Sequence, residues 1–357
     1  MKNIINKKFW KNKKVLITGH TGFKGAWLCV FLKFLGAKVI GYSLKPITNP
    51  SLFYQAKISN KIEKSYFLDI RDKKKLFEIV KKNKPQIVFH LAAQPIVRKS
   101  FAHPDYTFDV NFNGTLNILE CIKKFKFIKS SIIITTDKVY DIKKNKIFKE
   151  SDLLGGKDPY SVSKVCCELL YKSYNDCFFN IKEFNKNVAT VRAGNVIGGG
   201  DYSEDRIIPD IYRSLKEKKT LLLRNPNSVR PWQHVLEPLS GYIILAEKLF
   251  NNKLKKIIQN WNFGPNISSC KSVKYVATKF SKPLGIKILI KKIDKSRKKK
   301  FETDFLRLSN NKAKKILNWY PKWHLDKAIE KIIEWNSLYK NNSYKGCISQ
   351  IKDFLGN

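Results

Sequence analysis

Lys14-Val-Leu-Ile-Thr-Gly-His-Thr-Gly-Phe-Lys-Gly25 is the stretch that decides the fold. A short apolar run ends in glycines at 19, 22 and 25. Lys24 to Leu35 then carries apolar residues at helical spacing and stops at Gly36. A strand, a glycine turn and a helix in that order turn backbone N–H groups and a helix N-terminus toward a pyrophosphate. Gly19 permits the sharp turn, Gly22 the close approach of phosphates, and Gly25 the packing of helix on strand. The competing reading is that glycine also ends strands for purely structural reasons, so the rest of the chain has to support the first.

It does. Lys38–Leu44, Ser65–Ile70, Ile87–Ala93, Ile132–Thr136 and Val188–Arg192 read as buried strands, and helical stretches at Asp72–Asn83, Asn113–Phe125 and Pro159–Asn175 separate them. Strands alternating with helices predict a doubly wound α/β fold, a parallel sheet covered on both faces. Ligands in such folds sit at the carboxyl ends of the strands. The second strand ends in Tyr42-Ser43-Leu44-Lys45, with no Asp or Glu for a ribose. Ser43 can bond a ribose hydroxyl; Lys45 suits either a 2′-phosphate or a solvated loop. Asp69-Ile70 ends the third strand, where a carboxylate and an apolar side chain can bracket adenine.

Two further groups carry chemistry. Tyr160 and Lys164 are one turn apart on one helix face, behind Asp158 as a helix cap and Pro159 as first helical residue. A free phenol, with a pKa of about 10, is a poor base at neutral pH, and a nearby ammonium favours the phenolate. Thr136-Asp137-Lys138 puts an acid and a base at the end of an apolar run. Taken singly, the first pair fits any amphipathic helix and the second a salt-bridged strand end.

His90-Leu-Ala-Ala-Gln94, Asn111-x-x-Gly114-Thr115, Thr135–Tyr140, Leu154–Tyr160, Gly194–Asp201 and Arg230–Val235, added to the glycine turn and the Tyr–Lys pair, resemble the extended short-chain dehydrogenase/reductases, specifically their nucleotide-sugar 4,6-dehydratases. The resemblance runs from Phe9 to Trp335. It implies a Rossmann domain over 9–195, completed by segments near 232–265, with a smaller discontinuous substrate-binding lobe from 196–231 and 266–340 and a tail at 341–357. It implies NAD, held by Gly19, Gly22, Phe23, Lys24, Gly25, Ser43, Asp69, Ile70, Leu91, Ala92, Ala93, Gln94, Tyr160 and Lys164. Tyr160 would be the base at the sugar's 4-hydroxyl, with Thr136 orienting the 4-oxygen. Asp137 would be the acid of an elimination across C5–C6, and Lys138 its base or the holder of a water. Gln94, Asn195, Arg206, Arg230 and His234 would meet the nucleotide sugar, although Trp232 and His234 equally suit a packed core. Related dehydratases carry Asp-Glu or Ser-Glu where this chain has Asp137-Lys138, and the lysine is similar to the branch whose substrate is CDP-glucose. Asp141, where many members have glycine, and the loop to Lys146 depart from the pattern. The family also pairs subunits through two helices, here Asn113–Phe125 and Pro159–Asn175 with Leu116, Leu119, Leu169 and Leu170, so a homodimer or homotetramer is expected.

Composition bounds the alternatives. The formal charge is +41, yet lysines dominate the 70 basic residues and spread along the whole chain with abundant Asn and Ile. That resembles a codon bias more than a nucleic-acid patch, and runs such as Lys298–Lys300 read as solvated loops. Specific nucleic-acid binding is not expected; the charge favours capture of an anionic sugar nucleotide. The seven cysteines show no metal spacing and read as reduced thiols, so no metal and a cytoplasmic location are expected. No apolar stretch reaches the roughly 18 residues that span a membrane. The alternatives are a dehydratase for another nucleotide, a 4-epimerase, which needs the Tyr–Lys pair but no elimination couple, and a non-catalytic dinucleotide sensor, which needs neither.

Overall fold

The structure, a computed structural model, describes residues 4–142, 146–181, 183–184, 186–223, 225–252, 254, 260–290 and 305–356. The lysine run at 298–300 and residues 143–145 of the 141–146 loop therefore lie outside the described residues. Seven strands form the central sheet: β1 (Lys14–Thr18), β2 (Lys38–Ser43), β3 (Lys64–Phe67), β4 (Ile87–His90), β5 (Ser130–Ile134), β6 (Asn187–Arg192) and β7 (Asn260–Asn262). Their order is β7-β6-β5-β4-β1-β2-β3 and every pairing is parallel. The direction of travel reverses beside β1, between β4 and β2, which opens the crevice where ligands of such sheets bind.

The strands end earlier than the apolar runs suggest. Leu91–Ala93, Thr135-Thr136 and Asp69-Ile70 lie beyond the last paired residues of β4, β5 and β3. Those residues leave the sheet to build its ligand-facing edge, so apolar character alone overstates the strand.

Helices cover both faces. On one side α1 (Phe23–Phe34) joins the sheet interior through Ala26, Trp27, Leu28 and Phe31. On the other, α2 (Lys73–Asn83), α3 (Gly114–Lys124) and α4 (Pro159–Tyr174) build a second core around Leu76, Ile118, Ile122 and Tyr171. Leu119 belongs to that core and is fully buried, which corrects its expected place on an outward face; of the four leucines only Leu169 is exposed. The reason is that α3 buries more than one stripe, as a helix between a sheet and neighbouring helices must.

A third core is built from Ile208 and Ile211 of α5 (Ile207–Lys216), with Leu221, Leu223, Trp232, Val276, Phe280 and Ile329. Trp232 is part of it, and its indole N–H donates to the Lys271 carbonyl at 2.9 Å. After α6 (Leu236–Phe250), α7 (Val273–Leu284) and α8 (Leu325–Leu338), the expected tail is a helix, α9 (Ser343–Leu355). Asn342 caps its start, Gly356 its end, and Cys347, Ile351 and Phe354 enter the main core beside α1.

Candidate active site

The turn after β1 shows why its glycines are glycines. A Cβ on Gly19 would lie 2.7 Å from the Ala92 nitrogen, because the loops leaving β1 and β4 meet there; the residue also has φ +72°. A Cβ on Gly25 would lie 2.1 Å from the Gly19 carbonyl oxygen, so α1 packs directly on the turn. Gly22 precedes α1, and no side chain caps the helix start. An uncapped first turn with no acidic residue and with Lys24 in it suits a pyrophosphate. Ser43 bonds Thr21 at 3.0 Å, and Thr21 itself donates to the Leu44 carbonyl. The Ser43 oxygen therefore keeps lone pairs for a ribose hydroxyl. These features fit a dinucleotide.

The reacting end is assembled from the turn after β5 and the start of α4. Thr136 caps a single turn of 3₁₀ helix, Asp137–Val139, and its hydroxyl donates to Asp137 Oδ1 at 3.1 Å. Asp137 is 3% exposed. Burial raises its pKa above the ordinary carboxylate range, against the pull of Lys138, Thr136, Arg230 and Lys24. An acid that keeps its proton in a buried site is suited to proton donation. Tyr160 begins α4 behind the Asp158 cap, whose side chain accepts from the Ser161 N–H at 2.9 Å. Burial pushes the phenol up to about 12, while the Thr136 hydroxyl and Arg206 pull it down. Lys164, one turn on, donates to the Ile134 carbonyl at 3.2 Å and has its own pKa lowered by burial. Burial thus opposes the phenolate in the protein alone, and a cationic ring bound beside it would favour the phenolate.

Lys24 extends further than a role at the glycine turn requires. Burial, followed by the charges of Arg206 and Lys164, lowers it to about 8, and Asp137 pulls it back up. The first turn of α1 therefore shares its field with the acid. Arg206 pairs with Asp201 at 3.1 Å, and Asn195 holds a left-handed backbone at φ +37°. Arg206 acts on Tyr160 and Arg230 on Asp137, so both arginines approach the same end of the cleft.

Three residues expected at the ligands already have partners within the protein. Both polar ends of Gln94 are committed within its own loop, to Ile96 at 2.7 Å and Thr107 at 2.9 Å, so it supports the loop after β4. His234 is fully buried with its ring 4.9 Å from that of Trp323 and 5.9 Å from that of Trp27. It packs the core rather than lining a base pocket. The Asp69 carboxylate forks onto Arg71, which also reaches Asp109 at 2.8 Å, so its charge is already compensated.

Other residues position the site without having been singled out. Asn111 lies in a widened helical turn, accepts from the Gln94 N–H at 2.8 Å and donates to Ser163 of α4 at 2.8 Å. Ser100 accepts from the Tyr160 N–H at 3.2 Å. Glu168, two turns beyond Tyr160, takes hydrogen bonds from Thr135 at 2.6 Å, Thr190 at 2.7 Å and Arg192 at 2.9 and 3.0 Å. Arg192 also donates to Tyr140 at 2.8 Å. The Asp137-Lys138 turn is thereby clamped at both ends, Thr135 and Tyr140. Removing one partner of such a buried pair costs about 3–5 kcal/mol. The one sign of the pair in sequence is a lone arginine closing an apolar strand.

Comparison with known proteins bears on this arrangement. The profile of the family described as GDP-mannose 4,6 dehydratase matches residues 16–332. The CDP-glucose 4,6-dehydratase of Salmonella typhimurium is 42% identical over 340 residues, 94% of each chain. Among solved structures, dTDP-glucose 4,6-dehydratase from Bacillus anthracis in complex with NAD superposes with a TM-score of 0.74 at 22% identity, covering 93% of this chain and 98% of that one. UDP-glucose 4-epimerase from Thermotoga maritima, with UDP-glucose, gives 0.73 at 22%, covering 90% and 98%. The two solved structures share the fold; they do not by themselves separate dehydratase from epimerase.

Proposed function

The chain belongs to the GDP-mannose 4,6 dehydratase family, and within it we propose that this protein is an NAD-dependent hydro-lyase that converts CDP-glucose to CDP-4-keto-6-deoxyglucose and water. The observation that carries the reading is the buried Asp137, next to Lys138 and within the field of Tyr160. An epimerase has no use for that second acid–base couple. The 42% identity to a CDP-glucose 4,6-dehydratase over 94% of the chain supports the nucleotide.

The residues divide the work. NAD, held by the glycine turn, Ser43 and Lys164, would supply reversible hydride exchange with the sugar, from C4 and back to C6. Tyr160 receives the proton of the sugar's 4-hydroxyl, and Thr136 orients that oxygen. The C4 ketone acidifies the proton on C5. Lys138 removes it, directly or through a water, and gives a proton back to C5 once C6 has been reduced, so that the C5–H bond is restored in the product. Asp137 gives its proton to the departing C6 hydroxyl, which leaves as water. Arg206, Arg230 and Asn195 hold the diphosphate, where a guanidinium can make paired bonds to phosphate oxygens.

Offered CDP-, dTDP-, GDP- and UDP-hexoses in turn, the protein should turn over CDP-glucose fastest. Its product should show the base-induced absorbance of a 4-keto-6-deoxy sugar, with no net NADH. Faster turnover of another nucleotide, or NADH in proportion to product, defeats the assignment.

The assembly proposed is a homodimer at least, made by α3 and α4 of two subunits. Exposed Leu169 and half-buried Leu116 support it; Leu119 does not contribute. The mass in solution at micromolar concentration should be that of two chains or more, and a strict monomer contradicts the proposal. Seven unpaired cysteines are consistent with the cytoplasm as its location. Among the described residues no helix is long and apolar enough to cross a membrane.

A further inference from the structure

Gly194 follows β6, and its backbone does not have a positive φ, so an alanine there is free of backbone strain. Its constraint lies elsewhere. A Cβ on Gly194 would stand 1.7 Å from Asp137 Oδ2 and 2.5 Å from its Cγ, and the next atom is Pro231 Cγ at 3.1 Å. The volume that any other residue would use for its side chain is filled by the Asp137 carboxyl.

The floor is fixed. Gln233, 1% exposed, donates from Nε2 to the Gly194 carbonyl at 3.2 Å and to the Phe263 carbonyl at 2.8 Å, while its own N–H bonds the Asn195 carbonyl. Gly194 is thereby tied to the strand pair Val196–Ile197 with Gln233–His234 and to the chain leaving β7. When a methyl is placed at 194, the carboxyl has to give way, since it sits on a one-turn helix at the cleft and the floor is held at several points. We propose that Gly194 is the positioning residue for the elimination acid, holding Asp137 in its enclosed seat by leaving that space empty of any side chain of its own.

This inference rests on the role given to Asp137 above, and the two are separable by experiment. The steric claim is read without substrate, from thermal unfolding of Gly194→Ala, Asp137→Ala and the double variant. The lone methyl should lower the melting temperature in the wild-type background and cost far less once Asp137 is alanine, because the carboxyl atoms at 1.7 and 2.5 Å are then gone and Pro231 Cγ stands at 3.1 Å. Gly194→Ala combined with Asp137→Asn keeps the clash and should remain destabilised. Equal penalties in all backgrounds overturn the inference, as does a double variant that fails to fold.

The catalytic consequence is read with CDP-glucose. Gly194→Ala should lower kcat by roughly a hundredfold, the size of effect of a displaced general acid, with KM within about threefold. NADH should accumulate on mixing, because C4 oxidation outruns elimination. A carboxyl pushed out of its buried seat also regains an ordinary pKa, so the variant's activity should fall at lower pH than that of the wild type. In the Asp137→Ala background the methyl should change none of these. A Gly194→Ala protein with wild-type kcat and no NADH signal overturns the positioning role. A steric coupling found in protein that does not act on CDP-glucose would leave the geometry standing and refute the functional reading alone.

Discussion

Tyr160→Phe should abolish the first half-reaction while leaving the nucleotide sugar bound. The phenol is partly buried, and that burial pushes it up to about 12. Replacing O–H by H removes no bulk that the walls rely on, so the dissociation constant for CDP-glucose should stay within a few fold. What is lost is the phenol beside Thr136 that is assigned to take the 4-hydroxyl proton. Removing a general base costs about 10²–10⁴ in rate, and here it precedes every later step. Mixing with substrate should therefore give no transient nicotinamide absorbance, and no exchange of the C5 proton with solvent. The sign of the pH dependence follows from the same environment. Because burial holds the wild-type phenol protonated, its rate of C4 oxidation should rise with pH across the neutral range. The residual rate of the Phe variant should lack that rise. A variant that still shows a full burst of NADH would remove Tyr160 from the role of base.

How much of this was readable in the chain depends on how local the cause is. The glycine turn is local: Gly19, Gly22 and Gly25 act on atoms within one strand-to-helix turn and on the neighbouring loop. The α4 start is equally local, since Asp158, Pro159 and Ser161 form the cap among themselves. Both were legible. The helix at 343–355 was legible in principle, because Asn342, Gly356 and the spacing of Cys347, Ile351 and Phe354 mark a capped amphipathic helix; the family resemblance ended earlier and left it as a tail. The surroundings of His234 and Gln94 were not legible, for the opposite reason. Whether a polar side chain faces a cleft or the interior depends on what packs over it, here Trp27 and Trp323 for the histidine and Thr107 for the glutamine. Nothing near them in sequence says so. Gly194 shows the same limit from the other side. It is 57 positions from Asp137, and only the closed fold reveals that its missing side chain is the carboxyl's space.

Lys138→Ala should fail later and more visibly than Tyr160→Phe. Lys138 follows Thr136 and Asp137 on the single turn that leaves β5, and its charge is the largest of those opposing the burial of Asp137. Removing the ammonium therefore has two consequences. The base for the C5 proton is lost, and Asp137, without its nearest cation, holds its proton still more firmly. Tyr160, Lys164 and the glycine turn are untouched, so C4 oxidation proceeds. With elimination slowed by about 10²–10⁴, the reduced cofactor has nowhere to return its hydride. Rapid mixing with CDP-glucose should show NADH rising toward one equivalent per site and decaying slowly. Exchange of the C5 proton with solvent should slow in step with product formation. Lys138→Arg should not restore the rate if the lysine is the base, because a guanidinium does not give up its proton in proteins; restoration by Arg would instead assign Lys138 to holding a water. Near-wild-type turnover of Lys138→Ala would leave the residue as a charge at a strand end. The sequence feature that most sharply favours CDP-glucose over the other nucleotides would then carry no chemistry.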